Sequence, residues 1–360
     1  MQAAATIHSE MKTPRLVQDI RSQPESLRDV LNHHSGPGQS ALLQAADLLC
    51  GAKRVVVTGM GASMYACVPL EYRLCSMGIP TFLVEAAELL HYRHPAAVDS
   101  VLIVVSRSGE SIEIAKLTSL LKGRVPIIGV SNSASSMLAT QADVSVHIGS
   151  RPDEMIAIQS YTGTLLTLHL LASVVARSFP RELAEAAVVL DHLPTMIERE
   201  LEQIASWDAL LRLSSPVYTL GRGPSYASVL EGVLLFHETA KSPAVGMHAA
   251  SFRHGPVEMV DSNFSAIVFA PAGRTRDLNL GLARDLIRFG GKLLVVASPG
   301  ADTQGLDLHP TPEVSDTLAP LFEVIPLQCA ALRLAQLRGL EIGAFRYTPQ
   351  VARNELSFAN

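Results

Sequence analysis

The chain has 360 residues, enough for two domains of ordinary size, and 48% of them are hydrophobic, which argues against disorder. A formal net charge of −5 argues against a partner that needs a broad basic face, such as nucleic acid, but not against a small anion held by local N–H groups. The start of the chain lacks the apolar segment of a signal peptide, no apolar run is long enough to span a membrane, and Cys50, Cys67, Cys75 and Cys329 form no CxxC pair, so the expectation is a cytoplasmic protein with reduced core thiols.

Residues 1–50 read as a loose tail followed by two helices, the first entered at Thr13-Pro14 and carried by Leu16, Ile20, Leu27, Val30 and Leu31, the second running from Ser40 to Cys50. Residues 51–180 read as a first domain. Its strands are expected at Val55–Val57, Thr81–Val84, Val101–Val105, Val125–Val130 and Val144–Ile148. Glycine- or serine-rich turns and helices alternate with them, and a long apolar helix is expected from Glu154 to about Ala176. Strands alternating with helices predict a parallel sheet covered on both faces. Residues 181–212 are more charged and read as a helical connector. The pattern then restarts over 213–338, with strands at Val217–Leu220, Ala266–Ala270 and Leu293–Ala297, helices at Ala227–Ala240 and Leu318–Leu337, and an aperiodic tail over 339–360.

The halves are a degenerate repeat, so the fold class is α/β with two similar, doubly wound parallel sheets. Gly59-x-Gly61-x-Ser63 lies over Gly221-x-Gly223-x-Ser225, and VLIVVSRSGES lies over SAIVFAPAGRT, with Gly109 over Gly273. In the second copy Ala270 and Ala272 replace Ser106 and Ser108. A phosphate site is therefore expected in the first half, where the buried strand Val101–Val105 runs into Ser106-Arg107-Ser108-Gly109-Glu110-Ser111 and a helix start. Free N–H groups and hydroxyls at such a place can surround an anion; the plainer reading is a βα turn with a serine N-cap.

Other motifs are less specific. Neither GxG turn carries the third glycine of a dinucleotide fingerprint, so no nicotinamide cofactor is expected. There is no HExxH and no Cys/His cluster, so no metal is expected. Glu231 and Glu238 share a face of the helix LEGVLLFHETAK, either as a solvated flank or as buried acids whose raised pKa suits proton transfer. His254, in Ser251-Phe252-Arg253-His254-Gly255-Pro256, reads either as loop surface or as an acid–base group.

Together, Ser106–Ser111, Leu220-Gly221-Arg222-Gly223 with Leu230-Glu231-Gly232, and Phe252–Pro256 resemble the sugar isomerase (SIS) domain family. The likeness is to its tandem form, found in the isomerase half of glucosamine-6-phosphate synthase and in stand-alone aminosugar-phosphate deaminases and fructosamine-phosphate deglycases. It runs from about Asp19 into the tail. It implies two flavodoxin-like sheets and a sugar-phosphate isomerase or deaminase, of the glucosamine-6-phosphate deaminase kind, with no cofactor. Ser106, Arg107, Ser108 and Ser111 would hold the sugar phosphate, with Gly61, Ala62, Ser63, Ala157 and Gln159 along the sugar. Glu238 would move a proton between C1 and C2, and His254 would assist ring opening in the pocket of a second copy, which implies a homodimer. Convergence of Glu238 and His254 on the serine turn would separate such an enzyme from the rival reading, a phosphosugar sensor that kept the fold and lost catalysis.

Two departures from the synthase pattern are visible. Leu235 stands where the synthase has a helix lysine, and Gln350 or Ser357 stands where it has a tail lysine. No lysine follows Lys292, so a Schiff base from the tail is excluded.

Overall fold

Strands buried on both faces of a parallel sheet need continuous apolar runs, and this chain supplies them twice. In the computed structural model, which describes residues 13–212, 216–347 and 351–357, the first sheet contains Val55–Gly59 (β1), Thr81–Glu85 (β2), Val101–Val105 (β3), Ile127–Ser131 (β4) and Val144–His147 (β5). The second contains Val217–Gly221 (β6), Ala244–His248 (β7), Ser265–Phe269 (β8), Lys292–Ala297 (β9) and Leu308–Pro310 (β10). All pairings are parallel, in the orders β2-β1-β3-β4-β5 and β10-β9-β8-β6-β7. Read from the other edge, the second order is the first again, which is the flavodoxin-like winding. The duplication seen in the sequence is thus a duplication of topology.

Strand side chains alternate between two cores. Val55, Val57, Ile103 and Val105 face inward to a cluster shared with Ile267 and Phe269 of the second sheet. Val56, Leu102 and Val104 face a satellite core under Ile112–Leu121 (α4), and Ala266 and Val268 face another under Arg276–Arg288 (α9). The space between the sheets is filled by two long buried helices, Gln159–Val175 (α5) and Pro320–Leu337 (α10), and by Tyr226–Ala240 (α8), which packs along α10. Arg15–Ser35 (α1) and Gln39–Cys50 (α2) lie against α5; Val68–Ser76 (α3) follows the first glycine turn.

Polar contacts inside this shared core fix the register of its helices. The Gln23 amide on α1 and the Gln328 amide on α10 exchange hydrogen bonds of 2.8 and 3.2 Å, and Thr162 on α5 donates to Gln23 Oε1 at 3.3 Å. Stranding one of these buried partners would cost about 1–3 kcal/mol. In the stretch joining the sheets, Phe179–Leu190 (α6) and Leu193–Glu202 (α7) are separate helices. Glu200 of α7 is buried beside His309 of β10, at 2.7 Å.

Several expectations are corrected. The long helix begins at Gln159 rather than Glu154, because Asp153 caps it: its carboxylate accepts from the N–H of Gln159 at 2.6 Å and of Ser160 at 3.1 Å. Met155 and Ala157, ahead of the helix, line the site. The fourth strand covers Ile127–Ser131 rather than Val125–Val130. Edge strands β7 and β10 and helix α9 were not foreseen; β7 is half-buried throughout and β10 has three residues, so neither shows a buried-strand run. Cys50 and Cys75 are exposed, and only Cys67 and Cys329 are core thiols.

Glu323 of α10 gives a test of the packing. Its buried carboxylate accepts from Ser225 Oγ at 2.7 Å and Ser228 Oγ at 2.5 Å on the segment entering α8. Burial pushes its pKa up to about 7, against the lowering effect of the two hydroxyls. A carboxyl whose folded pKa is raised favours the fold fully below its unfolded value and loses that contribution as pH rises through the folded value. Wild-type stability should therefore fall by about 3 kcal/mol more than that of Glu323→Gln between pH 4.5 and 7, measured by urea denaturation.

Candidate active site

β1 and β3 run side by side, Val55 opposite Val101 and Gly59 opposite Val105, while the chain leaves β1 for β2 on the other flank. Such a switch point opens a crevice at the strand ends. The turn after β1 enters it closely because Gly59 has no side chain: a Cβ would lie 2.9 Å from the Val105 carbonyl oxygen. Gly61 follows with φ +50°, and Ser63 Oγ accepts from the Arg107 N–H at 3.3 Å, joining the two turns.

The serine turn is held from behind. Ser106 N–H donates to Val130 O at 3.0 Å, and Gly109 N–H donates to both the carbonyl and the hydroxyl of Ser106. Gly109 adopts φ +66° against Ser136, whose side chain a Cβ would overlap. Glu110 turns away and caps Met137–Gln141, accepting from Met137 N–H at 2.7 Å. Ser108 Oγ accepts from Glu110 N–H at 3.2 Å, which leaves its O–H to donate. Ser111 is the N-cap of α4 yet makes no side-chain cap bond, so its hydroxyl remains for a ligand.

A cavity of about 270 Å³ lies over these turns. Of the residues expected in a site, Gly61, Ala62, Ser63, Ser106, Arg107, Ser108, Ser111, Ala157 and Glu238 line it. Gln159 does not: its buried amide donates to Asp19 Oδ1 at 3.3 Å and to Pro152 O at 3.2 Å at the start of α5. His254 is exposed on the second half, off the cavity wall. Glu238 and the serine turn therefore converge within one chain, and His254 does not join them. Met60, Met155, Leu234, Phe345 and Ala352 also line the cavity. Leu234 stands one helical turn before Glu238 and was legible from that spacing. Phe345 and Ala352 belong to the aperiodic tail and carried no signal.

Glu238 reaches the site from the other half of the molecule, near the carboxyl end of α8. Burial raises its pKa to about 7; Arg107 and Lys241 oppose that rise. Lys241 ends α8 in the left-handed conformation, with φ +49°, and donates to the carbonyls of Glu238 and of Ala344, the latter at 2.6 Å. Glu231, two turns earlier, is fully buried with one carboxylate oxygen unpartnered. Burial, then the charges of Glu238 and Asp153, push its pKa well above the usual carboxylate range. The two glutamates are thus unlike: one is enclosed, with its pKa pushed well up by burial, and the other lies on the cavity wall with a pKa of about 7.

The tail crosses the serine turn. Ala352 O accepts from Ile112 N–H at 3.0 Å, and Glu355 pairs with Lys116 at 2.6 Å. Gln350, one of the positions considered for the synthase lysine, lies outside the described residues. The tail residues on the cavity are Phe345 and Ala352, the latter followed by exposed Arg353.

A family model described as the SIS domain matches residues 48–174 and again 210–338. The isomerizing glutamine–fructose-6-phosphate aminotransferase of Pyrococcus horikoshii is 27% identical over 334 residues, covering 90% of this chain and 55% of the relative. The chain spans about half the length of the curated relatives it matches. Among solved structures, the C-terminal domain of glucosamine-fructose-6-phosphate aminotransferase from Francisella tularensis superposes with a TM-score of 0.80 at 18% identity, over 92% of this chain and 98% of that one. Glucosamine-6-phosphate deaminase from Thermotoga maritima gives 0.73 at 18% identity, over 94% and 99%. At such identities these likenesses speak for the fold.

The serine turn yields a direct expectation. Gly109→Ala must accommodate both a left-handed backbone and the Ser136 side chain, and should cost about 2–3 kcal/mol. Gly123→Ala, at φ +73° with open space around it, should cost about 1 kcal/mol. Equal shifts in urea midpoint would mean that Ser136 does not brace the turn.

Proposed function

The chain belongs to the SIS domain family, and from that premise we propose that it is an enzyme acting on a 6-phosphorylated amino sugar or sugar–amine adduct, by deamination, deglycation or aldose–ketose isomerisation. The observation that carries this reading is Glu238, a carboxylate with a pKa of about 7 on the wall of a cavity floored by the serine turn. The names of the relatives support the substrate class, since they include a glucosamine-6-phosphate deaminase and a tagatose-6-phosphate ketose/aldose isomerase.

In this reading Ser106, Arg107, Ser108 and Ser111 hold the phosphate, and the carbon chain lies across Gly61, Ala62, Ser63 and Ala157 toward Glu238. The Glu238 carboxylate takes the C2 proton of an open-chain 2-amino aldose, leaving an enolamine, and returns it to C1. The resulting C2 imine is hydrolysed by water, releasing ammonia. For a fructosamine the same carboxylate works in reverse, from C1 to C2, and hydrolysis of the C1 imine frees the amine. A base with a pKa near the working pH is suited to both halves of such a transfer. His254 would serve the cavity of a second copy, which makes the proposed enzyme a homodimer. Leu235, buried where the synthase has a lysine, favours the alternative of a binding protein without turnover.

Purified protein incubated with glucosamine 6-phosphate and with fructosamine 6-phosphates should release ammonia or free amine. Phosphorylated sugars should raise the melting temperature and their unphosphorylated counterparts should not, since a ligand of the folded state stabilises it. A melting shift without turnover of any panel member would favour the binding protein; equal shifts with and without phosphate would remove the phosphate assignment.

A further inference from the structure

The duplication gives this molecule a second cavity, of about 250 Å³, built from the same parts as the first. Its floor is the glycine turn after β6 and the turn after β8, the counterparts of the turns after β1 and β3. Asp316 lies four residues before α10 as Met155 lies four residues before α5, and each lines its own cavity. The walls are exchanged between halves. As α8 lends Leu234 and Glu238 to the first cavity, α3 lends Tyr72 and Ser76 to the second, and Ser76 follows Gly61 at the separation by which Glu238 follows Gly223.

The substitutions between the two cavities follow a chemical logic. Gly223 keeps the left-handed turn, with φ +57° beside +50° for Gly61. Thr275 replaces Ser111 as a helix N-cap and, like it, makes no side-chain cap bond. Alanines replace the two serines of the phosphate turn, but guanidinium groups appear nearby: Arg222 in place of Met60, and Arg274 in place of Glu110. Arg222 donates through Nε to Asn279 Oδ1 at 3.0 Å, and buried Asn279 is oriented by donating to Phe269 O at 2.8 Å. Among the described residues neither arginine has a carboxylate partner. Arg73, also on this wall, is already committed to Glu182 at 2.6 Å. Asp316 and Thr317 supply an acceptor and a hydroxyl on the facing loop.

We propose that this second cavity binds a phosphate monoester of a polyhydroxylated compound without transforming it, with Arg222, Arg274 and Thr275 on the phosphate and Ser76, Asp316 and Thr317 on the hydroxyl groups. Serine occupies the place that the proton-moving carboxylate holds in the first cavity, so the ligand is retained rather than turned over.

The test is binding stoichiometry by isothermal titration with glucose 6-phosphate as the probe. The wild-type chain should bind two equivalents. Arg274→Ala, at an exposed position that leaves folding undisturbed, should weaken one of them about 10- to 100-fold, as expected for loss of a charge-assisted hydrogen bond. Arg222→Ala combined with Arg274→Ala should remove that site. Ser106→Ala with Ser108→Ala should weaken only the other. One equivalent per chain, lost in the serine variant and unchanged in both arginine variants, would overturn the proposal while leaving the first cavity intact. One equivalent lost only in the arginine variants would instead uphold it and overturn the phosphate assignment of the first. No binding would overturn it outright. Inorganic phosphate should bind the second site more weakly than glucose 6-phosphate; equal affinity would overturn the assignment to a phosphate ester.

Discussion

A chain leaving the carboxyl end of a buried parallel strand must satisfy its backbone polar groups within a few residues, or lose stability for every N–H it strands. At the end of β3 this is achieved by folding the turn back on itself. Gly109 N–H is taken by the residue three positions earlier, its carbonyl accepts from Leu138 N–H at 3.2 Å, and the whole arrangement depends on a left-handed backbone at Gly109. Because the backbone is satisfied internally and against β4, the Ser108 and Ser111 hydroxyls are left to face outward. The anion binding proposed for the turn would thus be a by-product of how the strand end is closed.

The proposed proton transfer also requires an accepting group above that turn, and Glu238 comes to it from the opposite half of the molecule. Its position rests on α8, which is packed closely enough that a Cβ at Gly232 would lie 3.2 Å from both Leu327 and Thr219. Glu323 anchors the start of the same helix through Ser225 and Ser228. The burial that holds α8 in place also raises the pKa of Glu238, so packing and reactivity have one cause. Neither half has the site alone. The central apolar core shared by the sheets brings a helix of each half to the cavity of the other.

Much of this was legible in the sequence where a signal is local. β1, β3, β4, β6, β8 and β9 are runs of buried apolar residues, and the serine turn, Gly61 and Glu238 sit at readable offsets from them. Edge strands β7 and β10 escaped because Ala244-Val245-Gly246-Met247-His248 and Leu308-His309-Pro310 hold no run of consecutive large apolar residues, whereas the half-buried edge strand β2 has Phe82-Leu83-Val84. The start of α5 was misplaced because its cap, Asp153, reads on sequence like any other charged residue ahead of a helix. Gln159 was carried over from a family pattern, and its amide N–H groups are spent within the protein on Asp19 and Pro152. The pairing of α3 with the second cavity and of α8 with the first depends on long-range packing, and no window of sequence contains it. Likewise the tail is held at the cavity by long-range contacts, a backbone hydrogen bond from Ile112 and side-chain contacts from Lys116 and Lys241, that no window of sequence contains.

The central claim is that Glu238 moves a proton at the carbon next to the carbonyl of a bound phosphosugar. Exchange of the substrate's C2 hydrogen with deuterated solvent, followed by proton NMR across pH, measures that step without requiring release of any product. In the wild-type protein the exchange rate should fall as pH drops through about 7, because the carboxylate is being protonated. In Glu238→Gln it should be about 100- to 10,000-fold slower at every pH, with phosphosugar affinity retained. Exchange at the wild-type rate in Glu238→Gln would contradict the account and place the proton transfer on another group.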